Sequence, residues 1–405
     1  MRQGEIMITR VTEQMKYDLL NNSIYNTQSK YGEIMEKMAS QRQVNKPSDD
    51  PLGMGKILDY RAVKAQIGSY TGNIDSSKSW LSATESSLTN VNDILTKVKE
   101  TAVAQASATA SASTRQIAAD SLQPLIDQIR SLANSKFGNR YLFSGTRTDT
   151  EPFSATASAV TRIDTPVAAS GNTFDGTVTS SGAYTGVVNK TYAIKIITGG
   201  TLAASTYQIS ADGGKTWGAT QSDLSAPVTI GDGTQLTFTA GTVNLAANDI
   251  FSVHAYATGY YNGNGEELSN EVGMGVTSNF SVTGEAAFTN RGQGTVDIFK
   301  VLDDLKTALE NDDADGVRNQ LDLLNQASDQ IDRYTAQCGT RTNGLDASNT
   351  ALQDMDARLT GLASNIEDAD MAALITEYQQ KQVALQATYK MAGDMGSISI
   401  HNFLR

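Results

Sequence analysis

The chain has 405 residues, with 32 Lys+Arg against 44 Asp+Glu and a formal net charge of −12. This length predicts two or three domains, and an acidic chain without a basic block is a poor candidate for binding nucleic acid, which needs clustered cations. Hydrophobic residues make up 39% and aromatic residues 7% of the chain. That composition is typical of long Ala/Ser/Thr-rich helices with polar sheets, and it is lean for an enzyme-sized globular core.

The single cysteine, Cys338, excludes an intrachain disulfide. No apolar run of signal-peptide length follows the first ten residues, and Met7 is an alternative start. No stretch reaches the ~20 apolar residues that a membrane-spanning helix needs. By default these features predict a cytosolic protein, unless export uses a route without a cleavable signal.

The first predicted helix covers residues 8–45 and has an apolar stripe at the alternating three- and four-residue spacing of a coiled-coil seam. A break at residues 45–51, which contains two prolines, ends this helix, and Ser48 or Asp49 is expected to cap the next one. The stripe consists of Leu20, Ile24, Thr27, Tyr31, Ile34 and Met38.

The second predicted helix, residues 52–105, has the most regular apolar spacing of the chain. A third helix follows at about 115–134, where Pro124 is expected to kink or restart it. The next segment, 137–145, is rich in aromatic residues and contains two glycines, which predicts a β-hairpin packed on the helices.

Between residues 154 and 256 Ser, Thr, Gly and Ala dominate, and short alternating runs such as 192–196 and 250–253 are separated by Gly-rich turns. This pattern predicts an antiparallel β domain inserted between two helical halves. Helices return at Val296. After a turn at 311–316, a long helix is expected to continue, with at most a small bend, into the stretch 345–405.

The stretch 345–405 carries a seam that needs a partner helix, and the matching seam lies at the opposite end of the chain. The sequence therefore predicts a mainly α chain with an inserted all-β domain, built from elongated antiparallel helical rods. The predicted domains are a terminal helical coiled coil of residues 1–48 and 360–405, a rod domain with a β-hairpin of residues 49–153 and 257–359, and an outer β domain of residues 154–256.

Two motifs are candidates for chemistry, and neither is favoured. Residues 210–217 match the S-x-D-x-G-x-T-W "Asp box" of sialidase-like propellers, but a propeller needs one copy per blade and the chain has one. Residues 311–322 approach the spacing of an EF-hand, yet Asn311 opens the motif and Asp322 stands where the longer bidentate Glu is needed. A β-turn and a capped helix–helix turn explain these two segments better.

Catalytic machinery is not evident in the rest of the sequence. The histidines are His254 and His401, so a zinc site, a Ser-His-Asp arrangement or a general base near neutral pH has no obvious donors. Cys338 is expected to be a small packing residue. The sequence predicts a protein that is not an enzyme, with no cofactor-binding residues and no metal ligands.

The terminal helices carry more apolar side chains than one intramolecular seam can bury. Helices with such a surplus are expected to become ordered when they meet copies of themselves. The predicted polymerisation interface consists of Met15, Leu20, Ile24, Tyr31, Ile34, Met38, Leu359, Leu362, Ile366, Ile375, Tyr378, Leu385, Phe403 and Leu404.

Several segments resemble the flagellin superfamily. Residues 45–51 (N-K-P-S-D-D-P) are similar to its (N/R)-x-P-S-D-D-P element, and residues 368–372 (D-A-D-M-A) are similar to its C-terminal region. Residues 139–145 (N-R-Y-L-F-S-G), with the Pro-Phe pair at 152–153, resemble the Y-L-F-S-G…P-F segment of the members found at the hook–filament junction.

The resemblance implies a structural adaptor of the bacterial flagellum. The implied route is export through the flagellar type III apparatus from an uncleaved N-terminus, aided by an export chaperone, to an extracellular position. The implied partners are further copies of the chain in a ring of about eleven subunits, hook-associated protein 1 and the flagellin filament, with neither nucleic acid nor membrane. The alternatives are a filament flagellin and, from the Asp box, a secreted glycan-binding or glycan-cleaving protein.

Overall fold

A computed structural model describes residues 4–107, 109–290 and 295–403, and it confirms the predicted fold class: long helices at both ends of the chain and antiparallel β-structure in the middle. The chain divides into two compact units, one formed by Met1–Ser69 with Thr350–Arg405 and the other by Tyr70–Asn349. The finer three-domain division expected from the sequence stays a prediction.

The helices that the structure describes are α1 (Gly4–Ser40), α2 (Pro51–Gln105), α3 (Ala112–Ala133), α4 (Gly284–Phe288), α5 (Ile298–Glu310), α6 (Ala314–Glu367) and α7 (Met371–Phe403). They stand before and after the β-structure, as predicted, with α4 as an unpredicted addition and the last predicted helix divided into α6 and α7. Pro124 lies inside α3, which continues through it as one helix, so the expected restart is wrong. At the start of α2 the cap is Asp50, whose Oδ1 accepts a hydrogen bond from the Gly53 amide at 2.9 Å, rather than Ser48 or Asp49.

The helix expected to continue from the turn at 311–316 into the stretch 345–405 does so, but it ends within that stretch. α6 ends at Glu367 and α7 begins at Met371. Asp370 caps α7, since its Oδ1 accepts hydrogen bonds from the amides of Ala372 and Ala373 at 2.9 and 3.1 Å. A carboxylate at a helix N-terminus satisfies amides that would otherwise lack partners, so this break needs neither Gly nor Pro.

A short β-hairpin with two-residue strands follows α3, as the sequence predicts. It joins β1 (Lys136–Phe137) to β2 (Arg140–Tyr141), with Gly138 at a φ of 61° in the turn. The hairpin packs on α2 through Trp80, whose ring lies 5.9 Å from the Phe137 ring and 5.4 Å from the Arg140 guanidinium carbon.

The remaining strands are antiparallel and form two larger sheets and two short ribbons. Their bounds are β3 (Phe153–Ser158), β4 (Arg162–Ile163), β5 (Val167–Ala168), β6 (Thr177–Gly182), β7 (Lys190–Thr198), β8 (Thr206–Ser210), β9 (Gln221–Ser222), β10 (Val228–Gly231), β11 (Thr234–Thr239), β12 (Ile250–Tyr256), β13 (Gly259–Tyr261), β14 (Ser269–Gly273) and β15 (Val276–Asn279). One sheet has the order β4-β12-β7-β8-β9 with β5 beside β12, and the other has the order β10-β11-β6. Alternating side chains such as Ile194, Phe238 and Phe251 bury a core between them.

An aromatic cluster joins β3, α4 and α5. Phe299 at the start of α5 has its ring 5.0 Å from that of Phe153 and 6.2 Å from that of Phe288, and all three side chains are buried. Edge-to-face and offset contacts of this kind add to the stabilisation from burial. The Pro-Phe pair noted in the sequence thus supplies a core residue through Phe153.

Candidate assembly surface on the terminal helices

The coiled coil predicted between the two chain ends forms between α1 and α7. On α1, Leu20 and Ile34 are buried, and Ile24, Tyr31 and Met38 are half-buried. These positions follow the three- and four-residue spacing of the predicted seam. Their side chains lie on one face because an α-helix turns once every 3.6 residues.

On α7 the seam is formed by Leu374, Tyr378 and Leu385, with Lys381 and Thr388 in the polar slots. Leu374 is 5% exposed and was absent from the predicted interface. The spacing 374-378-381-385-388 would have revealed it, but the Lys and Thr hide the seam from a search for apolar residues.

Tyr31 and Tyr378 set the register of the antiparallel pair. Their rings stack with centroids 5.2 Å apart, and the Tyr31 hydroxyl donates a hydrogen bond to the Tyr378 hydroxyl at 2.9 Å. This hydrogen bond raises the pKa of Tyr31 above its ordinary value. A polar contact in an otherwise apolar seam favours one register, because a slipped pairing would separate the two hydroxyls.

The connections α1–α2 and α6–α7 are tied together beside the coiled coil. Arg42 and Asp368 form an isolated antiparallel bridge, and the Gln43 amide donates to the Glu367 carbonyl at 2.7 Å. The Glu367 carboxylate accepts from Arg42 Nε at 2.8 Å and from Arg61 Nη2 at 2.7 Å, and its side chain is 12% exposed. This double ion pair holds both connections in one place.

The three predicted residues on α6 lie outside the α1–α7 seam. Leu359 and Ile366 are half-buried and Leu362 is 48% exposed. On the same stretch, the α2 residue Lys64 donates to Thr360 Oγ1 at 2.6 Å and lies 3.7 Å from Asp356.

The coiled-coil unit leaves many large apolar side chains in solvent. Of the other predicted interface residues, Met15 is 71% exposed and Ile375 is 44% exposed. Phe403 is the last residue of α7, and Leu404 lies outside the described residues. The exposed set in this unit is Met15, Leu19, Tyr25, Met35, Leu52, Leu58, Met355, Leu362, Ile375, Val383, Tyr389 and Met391. Large apolar surfaces in solvent are typical of interaction sites, and the polymerisation role of these residues stays a prediction.

The Asp box is a turn whose polar groups serve the turn itself. Asp212 Oδ1 accepts from Ser210 Oγ at 2.6 Å and from the Thr216 amide at 2.9 Å. These hydrogen bonds outweigh the opposing effect of burial, and they lower the pKa of Asp212 to about 2. Gly213 and Gly214 take positive φ angles of 73° and 97°, which only glycine adopts freely.

The acidic turn between α5 and α6 is also occupied by local contacts. Asp313 Oδ1 accepts from the Gly316 amide at 2.8 Å, Asp312 pairs with Arg115, and Asp315 pairs with Arg318. Across the part of the chain that the structure describes, no group of three or more His, Cys, Asp or Glu side chains is placed to hold a metal.

Burial shifts the pKa of both the single cysteine and the first histidine. Burial raises the pKa of the Cys338 thiol to about 11, so the reactive thiolate is scarce at neutral pH. Burial lowers the pKa of His254 to about 4, and its Nδ1 lies 2.9 Å from Thr191 Oγ1. None of the described helices combines the length and the apolar character needed to cross a membrane.

Comparison with known proteins shows which family the terminal helical regions match. The bacterial flagellin N-terminal helical region matches residues 11–148, and the bacterial flagellin C-terminal helical region matches residues 321–404, together more than half of the chain. The chain belongs to the bacterial flagellin family. Its members are structural proteins, so this flagellin-family chain is a structural component of the flagellum that self-assembles, and it is not an enzyme.

Individual relatives of the flagellin-family chain carry a more specific name. Flagellar hook-associated protein 3 of Escherichia coli K12 is 25% identical over 402 residues, covering 96% of this chain and 98% of the relative. Flagellar hook-associated protein 3 of Salmonella typhimurium LT2 is 32% identical over 145 residues, covering 36% and 46%. A solved flagellar hook-associated protein of Vibrio parahaemolyticus is 17% identical with a TM-score of 0.50, covering 79% of this chain and 100% of that one, which is a likeness of fold.

Proposed function

We propose that the chain is a subunit of the flagellar hook–filament junction and that it polymerises through its terminal helices. The observation that carries the proposal is the end-to-end match to a hook-associated protein 3, which spans 96% of this chain and 98% of that protein. A filament flagellin is the alternative within the family.

The terminal coiled coil supports a polymerising role. The seam already buries one face of each helix, as Leu20, Ile34 and Leu374 show, yet Tyr25 and Met15 remain 71% exposed. Exposed apolar side chains of this size are costly in water at about 25 cal/mol per Å². Contact with neighbouring subunits removes that cost. Neither a glycan site nor a catalytic site would explain why these apolar side chains are exposed.

The specific partners follow from the same proposal. The chain forms one ring of about eleven subunits, with hook-associated protein 1 on one side and the flagellin filament on the other. It reaches this extracellular position through the flagellar type III apparatus, escorted by an export chaperone.

Immunogold labelling of intact flagella with antibodies against the β region, residues 153–282, tests the proposal. A single labelled band at the base of each filament is the expected result. Labelling along the whole filament would replace the junction assignment with that of a filament flagellin. Flagella without any label, from cells that produce the protein, would refute both assignments. A deletion strain with normal filaments would refute the junction assignment.

A further inference from the structure

The two tyrosines that meet in the α1–α7 seam are placed for a covalent reaction with each other. The Tyr31 and Tyr378 rings stack at an interplanar angle of 30°, with their centroids 5.2 Å apart. Their hydroxyl oxygens lie 2.9 Å apart in a hydrogen bond. Both side chains are half-buried, so packing holds the rings together while part of each ring still reaches water.

Two phenol rings in contact can be joined by one-electron oxidation. A phenol that loses one electron and its hydroxyl proton becomes a radical whose unpaired electron reaches the ortho carbons, and two such rings couple through a carbon–carbon bond between ortho carbons. In the product, dityrosine, the two hydroxyls lie side by side. The hydroxyl contact between Tyr31 and Tyr378 therefore brings the reacting edges of the rings together, and holding two reactants in place makes their coupling far faster.

The sequence around this pair keeps oxidation on tyrosine. Cysteine and tryptophan compete with tyrosine for one-electron oxidants, and the compact unit of residues 1–69 and 350–405 contains neither. The single cysteine is Cys338, and the two tryptophans are Trp80 and Trp217. Within this unit a one-electron oxidant therefore attacks tyrosine most readily, and the stacked pair has its coupling partner already in contact.

We propose that Tyr31 and Tyr378 form an oxidative modification site, at which a dityrosine bond joins the two ends of the chain. The co-reactant is a one-electron oxidant generated from a peroxide. Each tyrosine gives up one electron and its phenol proton, the ortho carbons of the two radicals form the bond, and the ortho hydrogens then move to the oxygens and restore both hydroxyls. With hydrogen peroxide, the two electrons and two protons convert one molecule of peroxide into two molecules of water.

The bond makes the pairing of the chain ends permanent. The two residues are 347 positions apart, so the link closes nearly the whole chain into a loop, and loop closure restricts the unfolded chain more as the loop becomes longer. The link also prevents α1 and α7 from separating locally, which in the unmodified chain is opposed by noncovalent contacts of residues such as Leu20 and Leu374. This contact lies within one chain, so the inference does not depend on the proposed function.

Light-driven oxidation of the purified full-length chain with tris(bipyridine)ruthenium(II) and persulfate tests the proposal. The chain is kept dilute so that copies do not react with one another, and the digested product is measured by mass spectrometry and by dityrosine fluorescence. We expect a crosslinked peptide pair that contains Tyr31 and Tyr378 and is lighter by two hydrogen atoms than the separate peptides. In the crosslinked chain, amides within 20–40 and 371–391 are expected to exchange about tenfold more slowly than in the untreated chain.

Tyr31→Phe is the matched control, because phenylalanine keeps the stacked ring and has no hydroxyl proton to lose. After the same oxidation, this variant is expected to show neither the crosslink nor the slower exchange, while its circular dichroism spectrum stays that of the wild type. Tyr25→Phe removes a tyrosine of the same helix that is 71% exposed and lies outside the pair. It is expected to leave the yield of the crosslink unchanged.

The outcomes separate this inference from the proposed function. Oxidised chains that carry modified tyrosines but no Tyr31–Tyr378 crosslink would overturn the inference and leave the junction assignment standing. Equal dityrosine fluorescence from the Tyr31→Phe chain would also overturn it, because the product would then form elsewhere. A chain that crosslinks as expected but is absent from flagella would end the junction assignment and leave the oxidation site established.

Discussion

Two neighbouring residues of α7, Leu374 and Ile375, are expected to serve different purposes, the first in folding and the second in assembly. Leu374 is 5% exposed in the α1–α7 seam, whereas Ile375 is 44% exposed beside it. Leu374→Ala removes about three buried methyl or methylene groups at ~0.8 kcal/mol each, and a two-helix contact collapses easily around the gap, which favours the low end of the 2–5 kcal/mol range for such changes. We expect a loss of about 2.5 kcal/mol, while Ile375→Ala costs less than about 0.5 kcal/mol.

Hydrogen exchange of the purified chain, followed by mass spectrometry of peptides within 20–40 and 371–391, measures this difference locally. A loss of about 2.5 kcal/mol corresponds to amide exchange faster by about 70-fold in Leu374→Ala, with the Ile375→Ala chain close to wild type. In cells we expect the opposite pattern for assembly: the Ile375→Ala chain folds but incorporates poorly into flagella. Equal protection of both variants, or a larger loss in Ile375→Ala, would refute the assignment of the two faces.

Three further predictions concern the second unit, and each is measured by urea unfolding. Phe299→Ala is expected to cost about 3–5 kcal/mol because Phe299 is buried in the aromatic cluster, and the exposed Phe137→Ala less than about 1 kcal/mol; similar costs would contradict the cluster's role. Arg341→Lys should cost about 1–2 kcal/mol, because Arg341 Nη2 donates to the Glu267 carboxylate at 2.7 and 2.9 Å while its Nη1 donates to the Ser281 carbonyl at 2.6 Å, and one lysine ammonium cannot replace both nitrogens; an unchanged midpoint would contradict this. The pKa of His254 is about 4 in the folded chain and about 6.5 in the unfolded chain. The contribution of His254 to the free energy of unfolding is therefore complete above pH 6.5 and is lost as the pH falls to 4. Allowing for partial exposure we expect about 2 kcal/mol, and a His254→Phe chain with the same pH dependence would exclude this residue as the source.

The periodic parts of the molecule were predictable, because spacing along a helix is a local property. The seam from Leu20 to Met38 and the uninterrupted α2 follow from apolar residues recurring every three or four positions. The hairpin at 136–141 follows from a switch to aromatic and glycine residues. The resemblance of short motifs at both chain ends pointed to the family that the comparisons then showed.

Features that depend on a distant partner escaped the sequence. The break at 368–370 has no helix-breaking residue. It exists because Asp370 caps α7 and because the Gln43 amide donates to the Glu367 carbonyl while the Ala369 amide donates to the Gln41 carbonyl. Leu374 was overlooked because Lys381 and Thr388 share its seam. Polar residues are tolerated there at the edge of a two-helix contact, where their ends reach water.

The sequence by itself determined the helical ends, the β-structure between them and the need for the two ends to pair, since hydrophobic periodicity is written into neighbouring residues. The tertiary structure decided which α7 side chains face α1 and where the C-terminal helix is interrupted. These depend on the rotation of one helix against another, with the Tyr31–Tyr378 contact as its register mark. Such a rotation is set by packing between residues almost 350 positions apart, and no local pattern encodes it.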